Sequence, residues 1–459
     1  LEAERKQILS VDLRSLLFKF SYPLIIALVF GALYNLIDTI FVGNAVGPLG
    51  IAALTIVLPI QILMFAIGFM IGVGSASIVS RALGAGNNDR AVRAAGNAVV
   101  LNLIISFILM VPGFIFIDEI LVFFGASQDV LPLAKSYATI ILLGFFLYSS
   151  DVMSRMLIRA EGKPRAAMYP MIFGAVLNIF LDYIFVIVLK RGVAGAATAT
   201  VISIAFTVLY IVIYFFSGKS TFRFKLLDFK PDRAINWEIL KLGTPTFLMA
   251  TIDSIVILLF NRGIMRYGDD TYIAIVGIGI RLIDLTLMPI FGITQGFSTI
   301  VGFNYGARLF KRVKKILGEA ILWTTVIAMA VFLVLMIFPR QLLGFFSDDA
   351  DFIEKGVMPL RIIIALFPAL GFVFIGGTFF QAIGKAMPAL VITLARQLVF
   401  LIPAILVFPI FWGLNGIWFS WPFSDFMDFI VTGIFIIMEL KLINREIDKK
   451  EKELVSEAA

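Results

Sequence analysis

The sequence predicts an all-α integral membrane protein, with twelve transmembrane helices in two six-helix bundles of parallel topology related by a pseudo-two-fold axis along the membrane normal. Three observations predict it. First, 60% of the 459 residues are hydrophobic and 15% charged, with a mean hydropathy of +1.01, more apolar surface than a soluble domain of this size can bury. Second, twelve apolar segments follow one another between charged or Gly/Pro-rich breaks. Third, the chain repeats itself at an offset of 222 residues.

In order, the apolar segments cover 15–43, 50–80, 92–117, 132–157, 165–189, 193–217, 235–265, 271–302, 314–339, 356–383, 387–412 and 414–440. A bilayer core needs about 20 apolar residues per helix, so the longer segments are expected to tilt or to extend beyond the membrane. The charged start, Glu2 to Arg14, reads as running directly into the first span rather than as a cleavable signal. Residues 1–218 then form an N-terminal bundle, 219–233 a basic linker, 234–440 a C-terminal bundle and 441–459 a charged tail.

Lys and Arg set the orientation. The N-terminal segment, the tail and alternate connections (Arg81 to Arg93, Arg155 to Arg165, Lys219 to Lys241, Arg308 to Lys315, Lys385) hold 28 of the 38 basic residues. The positive-inside rule therefore places both termini in the cytoplasm of a cell-membrane protein. The acidic run Asp348-Asp349-Ala350-Asp351 falls outside, as a solvated loop. Cys and His are absent, which excludes disulfides, haem ligation, typical zinc sites and Cys- or His-based acid–base chemistry.

The repeat rests on three short matches at one offset: Ser21-Tyr22-Pro23 with Gly243-Thr244-Pro245, Gly84-Ala85…Arg90 with Gly306-Ala307…Arg312, and Ala160-Glu161-Gly162-Lys163 with Ala382-Ile383-Gly384-Lys385. Six spans per repeat make the halves parallel, with a cavity expected between them. The first span carries Asp38 inside a hydrocarbon-length run, at a cost of about 2.5–3.5 kcal/mol if charged near the centre. Tyr34 and Asn35 lie four and three residues earlier, on the same helical face. Pro23 removes a backbone donor and lets that helix bend.

Comparing the halves brings out the polar positions. Asp38 meets Phe260, Asn178 meets Phe400, Asp182 meets Ala404, Thr198 meets Phe419 and Thr200 meets Trp421. Asn178 and Asp182 are four apart on span five and share a face. Thr198 and Thr200, two apart on span six, cannot face the same way, so one of them serves. Two carboxylates, an amide, a phenol and a hydroxyl in one bundle suit a proton or Na⁺, with Asp38, Asp182 and Asn178 as the Na⁺ ligands. The bland alternatives are a solvated helix end for Asp38, an interfacial site for Asp182, and interhelical glue for Asn178, Thr198 and Thr200. Tyr137 on span four either reaches the cluster or sits in an interfacial belt.

Elsewhere, Arg281 and Asp284 are spaced to pair on span eight, and Asp253 is a candidate cavity residue of the second half. Asp151 with Arg155, Arg396, Asp425 and Asp428 are further charges within spans. The stretch Gly68 to Ser77 has the glycines of a phosphate loop but no following Lys, and reads as close helix packing.

With its twelve spans in two repeats, its Pro-interrupted first span bearing Tyr34, Asn35 and Asp38, and the signatures Arg81-Ala82-Leu83-Gly84-Ala85-Gly86-Asn87-Asn88 and Ala160-Glu161-Gly162-Lys163-Pro164, the chain resembles the multidrug and toxic compound extrusion (MATE) family. The resemblance covers essentially the whole chain and is closest to the DinF-like prokaryotic and archaeal branch. It implies export of amphipathic, often cationic, compounds in exchange for H⁺ or Na⁺. It also implies a coupling site in the N-terminal lobe, matching Asp38, Asn178, Asp182 and a span-six Thr with Tyr34 and Tyr137 nearby. The NorM-like branch uses acidic groups of the C-terminal lobe, including one on span ten, and span ten here has none within its apolar run.

The expected function is a secondary-active efflux antiporter rather than an enzyme. It needs no cofactor beyond the coupling ion, and works as a monomer among membrane lipids, with small molecules and not nucleic acid as partners. Among the rivals, a flippase for a lipid-linked precursor calls for a strongly cationic cavity, whereas only Arg281 and Arg396 lie well inside spans. An intramembrane enzyme lacks a nucleophile–base pair, and a channel lacks a repeated pore-lining ring.

Overall fold

A computed structural model describes residues 2–346 and 349–458, leaving Asp348 of the acidic run outside the described residues. The chain is helical nearly throughout: α1 Glu2–Ser10, α2 Leu13–Val46, α3 Pro48–Gly84, α4 Asn88–Ile115, α5 Ile117–Phe123, α6 Leu131–Leu143, α7 Phe145–Ala160, α8 Pro164–Asp182, α9 Gly192–Phe216, α10 Arg233–Tyr267, α11 Asp270–Gly306, α12 Phe310–Ile337, α13 Pro339–Gly344, α14 Ala350–Ile363, α15 Phe367–Ala382, α16 Ala386–Leu394, α17 Ile402–Trp412 and α18 Leu414–Ala458. In lipid a helix satisfies its own backbone groups, which is why such apolar runs adopt it.

Nine spans among the described residues are long and apolar enough to cross a membrane unaided. Two more are bent pairs, α6 with α7 at 53° and α14 with α15 at 44°. The twelfth is the first part of α18, whose run is interrupted by Asp425 and Asp428. The two bends recur at the repeat offset, around Gly144 and Leu366. At the second, Pro368 has no N–H to return to the carbonyl of Ile364, so the helix must restart. At the first, a Cβ on Gly144 would come within 2.8 Å of Val201 on α9.

Two compact units result. One holds Tyr22–Phe247 with the start of the chain through Lys6; the other holds Gln7–Ser21 with everything from Leu248 onward. The division falls inside α2 and α10 rather than in the 219–233 linker. Its reason is packing. Gly74 on α3 gives room for the Ile239 carbonyl of α10, and Gly243 of α10 for that of Met70. In the other unit, a Cβ on Gly296 of α11 would lie 2.8 Å from Ser21 Oγ. Each of the two helices thus leaves one unit for the other close to its proline, Pro23 or Pro245.

The linker is tied to the first unit. Asn97 of α4 accepts from the Asp232 N–H at 2.6 Å, and Glu238 pairs with Arg81 at 2.9 Å and Arg90 at 2.7 Å. The Gly68–Ser77 stretch is packing surface. A Cβ on Gly68 would meet the Ser149 carbonyl at 2.5 Å, and one on Gly72 the Met156 sulfur at 2.7 Å. Nearby, Asn102 of α4 donates to Ser149 and Ser150 of α7 at 3.1 and 3.0 Å, interhelical glue of the usual kind.

Candidate functional site

Within the first unit, α2, α8 and α9 bring Asp38, Asn178, Asp182 and Thr200 together, all buried. The Asp38 and Asp182 carboxyls lie within hydrogen-bonding reach of each other. The Asn178 amide donates to Thr200 Oγ1 at 3.4 Å. Four acceptor oxygens here meet no donor among the described residues: Asp38 Oδ1, both oxygens of Asp182 and Asn178 Oδ1. Two carboxylates this close repel each other when both are ionised. An amide and a hydroxyl add neutral oxygens suited to Na⁺.

Asp182 ends the α-helical part of α8, and Tyr183–Val188 continue it as a π-helical turn. Such turns mark functional sites in other helices because they re-aim the flanking side chains.

Tyr137 of α6 is buried and accepts from the Gln61 amide of α3 at 3.3 Å; its hydroxyl is within electrostatic range of Asp38, Asp182 and Tyr34. Tyr34 is within range of Asp38 too. Asn35 and Thr198 do not join the cluster. Asn35 is exposed and turns its amide to the Gly31 carbonyl at 3.0 Å, while Thr198 donates to the Ala194 carbonyl at 2.7 Å on its own helix. Of the two threonines, Thr200 is therefore the one facing the carboxylates' neighbour. Gln61 escaped the sequence reading, although its repeat counterpart is Ile283, the same polar-to-apolar change that marks Asp38.

The second unit fills the equivalent station with rings. Phe260 packs edge to face on Trp418 and Trp421, 5.8 Å from each, amid Ile252, Val256, Leu401 and Ile405. An open aromatic notch of about 790 Å³ lies between α17 and α18, lined by Phe408, Trp412, Asn415, Phe419, Pro422 and Phe423. The charges of this unit are largely paired: Arg396 with Asp425 at 2.9 Å, and Asp253 with the Gln397 amide. Arg281 and Asp284 do not pair as their spacing suggested. Both are exposed.

Comparison with known proteins agrees with this architecture. The MatE family profile matches twice, at residues 23–184 and 245–406, which reproduces the offset of 222. The multidrug export protein MepA of Staphylococcus haemolyticus is 28% identical over 403 residues, 87% of this chain and 88% of that protein. A crystal structure of a MATE transporter in the bent conformation superposes with a TM-score of 0.91 at 28% identity, covering 96% of this chain and 98% of that one. Another in the straight conformation gives 0.89 at the same identity and coverage. The two profile matches take in most of the chain and both of its repeats, and the protein belongs to the MatE family.

Proposed function

We propose that this protein is a secondary-active multidrug efflux antiporter. It exports amphipathic, often cationic, organic compounds in exchange for H⁺ or Na⁺, and couples the two through Asp38 and Asp182. The observation that carries the reading is the buried carboxylate pair beside Asn178, whose four acceptor oxygens meet no donor among the described residues. The family membership and the multidrug-export relatives support the transport reading. Asn178 and Thr200 contribute coordination or hold a water; Tyr34 and Tyr137 border the site. Both termini lie in the cytoplasm and the membrane is the cell membrane.

Coupling follows from differential affinity. Cation bound at the pair neutralises it, and substrate favours the form in which the pair is empty of cation, so the two compete through the conformational equilibrium. The prolines sit where α2 and α10 pass between units, which suits Pro23 to bending. Only its helix carries a carboxylate at the coupled position, Pro245 being followed by Phe260 instead.

Vesicle efflux assays with ΔpH and ΔNa⁺ imposed separately test the reading. Asp38→Asn and Asp182→Asn should abolish gradient-driven efflux while the protein still folds and reaches the membrane. Full efflux in Asp38→Asn would falsify the coupling assignment.

A further inference from the structure

We propose that Arg281 and Asp284 of α11 form a substrate-reading strip for zwitterionic amphipaths, Arg281 taking a carboxylate and Asp284 the cationic group of the same molecule. The proposal rests on the transport reading above and names a substrate class for it.

On α11 the exposed positions Ala274, Gly277, Arg281 and Asp284 are spaced three, four and three apart, which puts them on one face. A Cβ on Gly277 would meet nothing within 4 Å, so this face borders open space. Packing is on the other side of the helix, where Ile275, Val276, Leu287 and Ile290 are buried. The repeat counterparts of Gly277, Arg281 and Asp284 are Thr55, Pro59 and Ile62, so the two charges belong to the second unit alone.

Depth decides what this face meets. The apolar span of α11 is Thr271–Gly306. Measured from its middle, Arg281 and Asp284 stand about 11 and about 7 Å along the axis at the helical rise, inside a hydrocarbon core about 30 Å thick. Charges at that depth are strongly penalised in lipid and line water-filled paths instead. An arginine can reach back to the interface along its stem, but an aspartate is too short to do so. Asp284 therefore fixes the strip as a water-facing surface within the membrane.

A structural ion pair would account for both charges, and their spacing permits one. Neither residue forms an ion pair or a side-chain hydrogen bond among the described residues, so both stay available to a ligand. The guanidinium offers two parallel N–H donors to a carboxylate, and the carboxylate of Asp284 attracts an organic cation. Three residues of rise separate them by about 4.5 Å, close enough for one small molecule to reach both. Ile280, one turn before Asp284, lines an apolar pocket with Ile283, Phe260, Pro359 and Trp421. Rings or alkyl groups of the same molecule can rest there, and the combination selects an amphipath carrying both signs of charge.

The test uses the purified full-length protein with two dyes of one skeleton: rhodamine B, which has a free carboxylate, and its ethyl ester, which has none. Both carry the cation. Binding is read by fluorescence anisotropy, and net transport in proteoliposomes under an imposed ion gradient. Arg281→Gln should lower the ratio of rhodamine B affinity to ester affinity about tenfold. Arg281→Lys keeps the charge without the fork and should lose less of that ratio; Arg281→Glu should lose more. Asp284→Asn should weaken both dyes together. An unchanged ratio in Arg281→Gln, or failure of the native protein to bind rhodamine B, overturns the proposal. Because the chain has no Cys, Gly277→Cys checks the setting directly. It should react with a charged thiol reagent, and reaction with an apolar reagent alone would put this face in lipid and overturn the strip. Transport keeps the two readings apart. If the dyes bind with the expected ratios and no gradient moves either, the transport reading fails and the strip stands as a binding site. If a gradient drives the ester while Arg281→Gln leaves the ratio unchanged, the strip falls and transport stands.

Discussion

Phe260 meets Trp421 edge to face, ring centroids 5.8 Å apart and planes at 86°, at the station where the other repeat holds Asp38 and Thr200. One fold position therefore holds packed rings in one unit and buried polar side chains in the other. Phe260→Ala should lower the thermal midpoint of the purified protein, by a loss of about 3–5 kcal/mol if the cavity does not collapse. Its cation dependence of transport should stay native. Asp38→Asn should do the opposite, sparing the midpoint and removing coupling. Fluorescence-monitored unfolding in detergent, beside vesicle transport, separates the two.

The threonines of α9 make a sharper pair. Thr200→Val removes the acceptor of the Asn178 amide, a neutral bond worth about 0.5–1.5 kcal/mol. That corresponds to at most about a tenfold weaker apparent affinity for the coupling cation. Thr198→Val, which breaks only a bond to its own helix, should leave that affinity unchanged. Titrating transport with H⁺ or Na⁺ in both variants decides the matter, and equal effects would return both residues to a packing role.

Pro23 denies the Lys19 carbonyl its usual helical partner, so bent and straight forms of α2 can lie within a few kcal/mol. Spin labels at the exposed positions Leu33 and Ile108 should report a distance that changes with pH. The change should vanish in Pro23→Ala and in Asp38→Asn, and persist in Pro245→Ala. A distance indifferent to pH in the otherwise native protein rules out this hinge while leaving the transport assignment untouched.

Orientation is open to a direct check, because the chain has no native Cys. With the termini in the cytoplasm, Lys225→Cys should resist an impermeant thiol reagent in intact cells and Asp349→Cys should react. Both positions are exposed, so the reverse pattern would invert the topology.

At the end of α7, Glu161 is buried and accepts from Tyr214, from Ser220 at 2.9 Å and from the Thr221 N–H at 2.6 Å. Burial pushes its carboxyl above the ordinary value of 4.5, against the pull of these donors. The folded state therefore holds this proton more tightly than the unfolded chain. Its contribution to stability is complete below that ordinary value and is lost as pH rises through the folded one. Lowering the pH from 8 toward 5 should raise the native thermal midpoint more than that of Glu161→Gln. Parallel pH profiles in the two proteins would show that Glu161 does not titrate with folding.

By itself the sequence determined the class, the span count and the repeat, and it named the residues that the structure gathers into the candidate cluster. Hydropathy and charge report directly on bilayer partition, and a fixed offset of 222 residues lets one half serve as the apolar reference for the other. Asp38, Asn178 and Asp182 were legible that way, and the same comparison would have found Gln61. Tertiary structure alone decided which neighbours those residues meet. Helical periodicity fixes a side chain's face but not what lies opposite it, so Asn35 and Thr198 were indistinguishable from the clustered residues, although each bonds to its own helix. The pairing of Arg396 with Asp425 in place of Arg281 with Asp284, and the passage of α2 and α10 between units, depend likewise on contacts between segments far apart in the chain. Such contacts are set by how helices pack, with small residues such as Gly74 and Gly296 admitting a neighbour's backbone, and no local pattern encodes which neighbour that is.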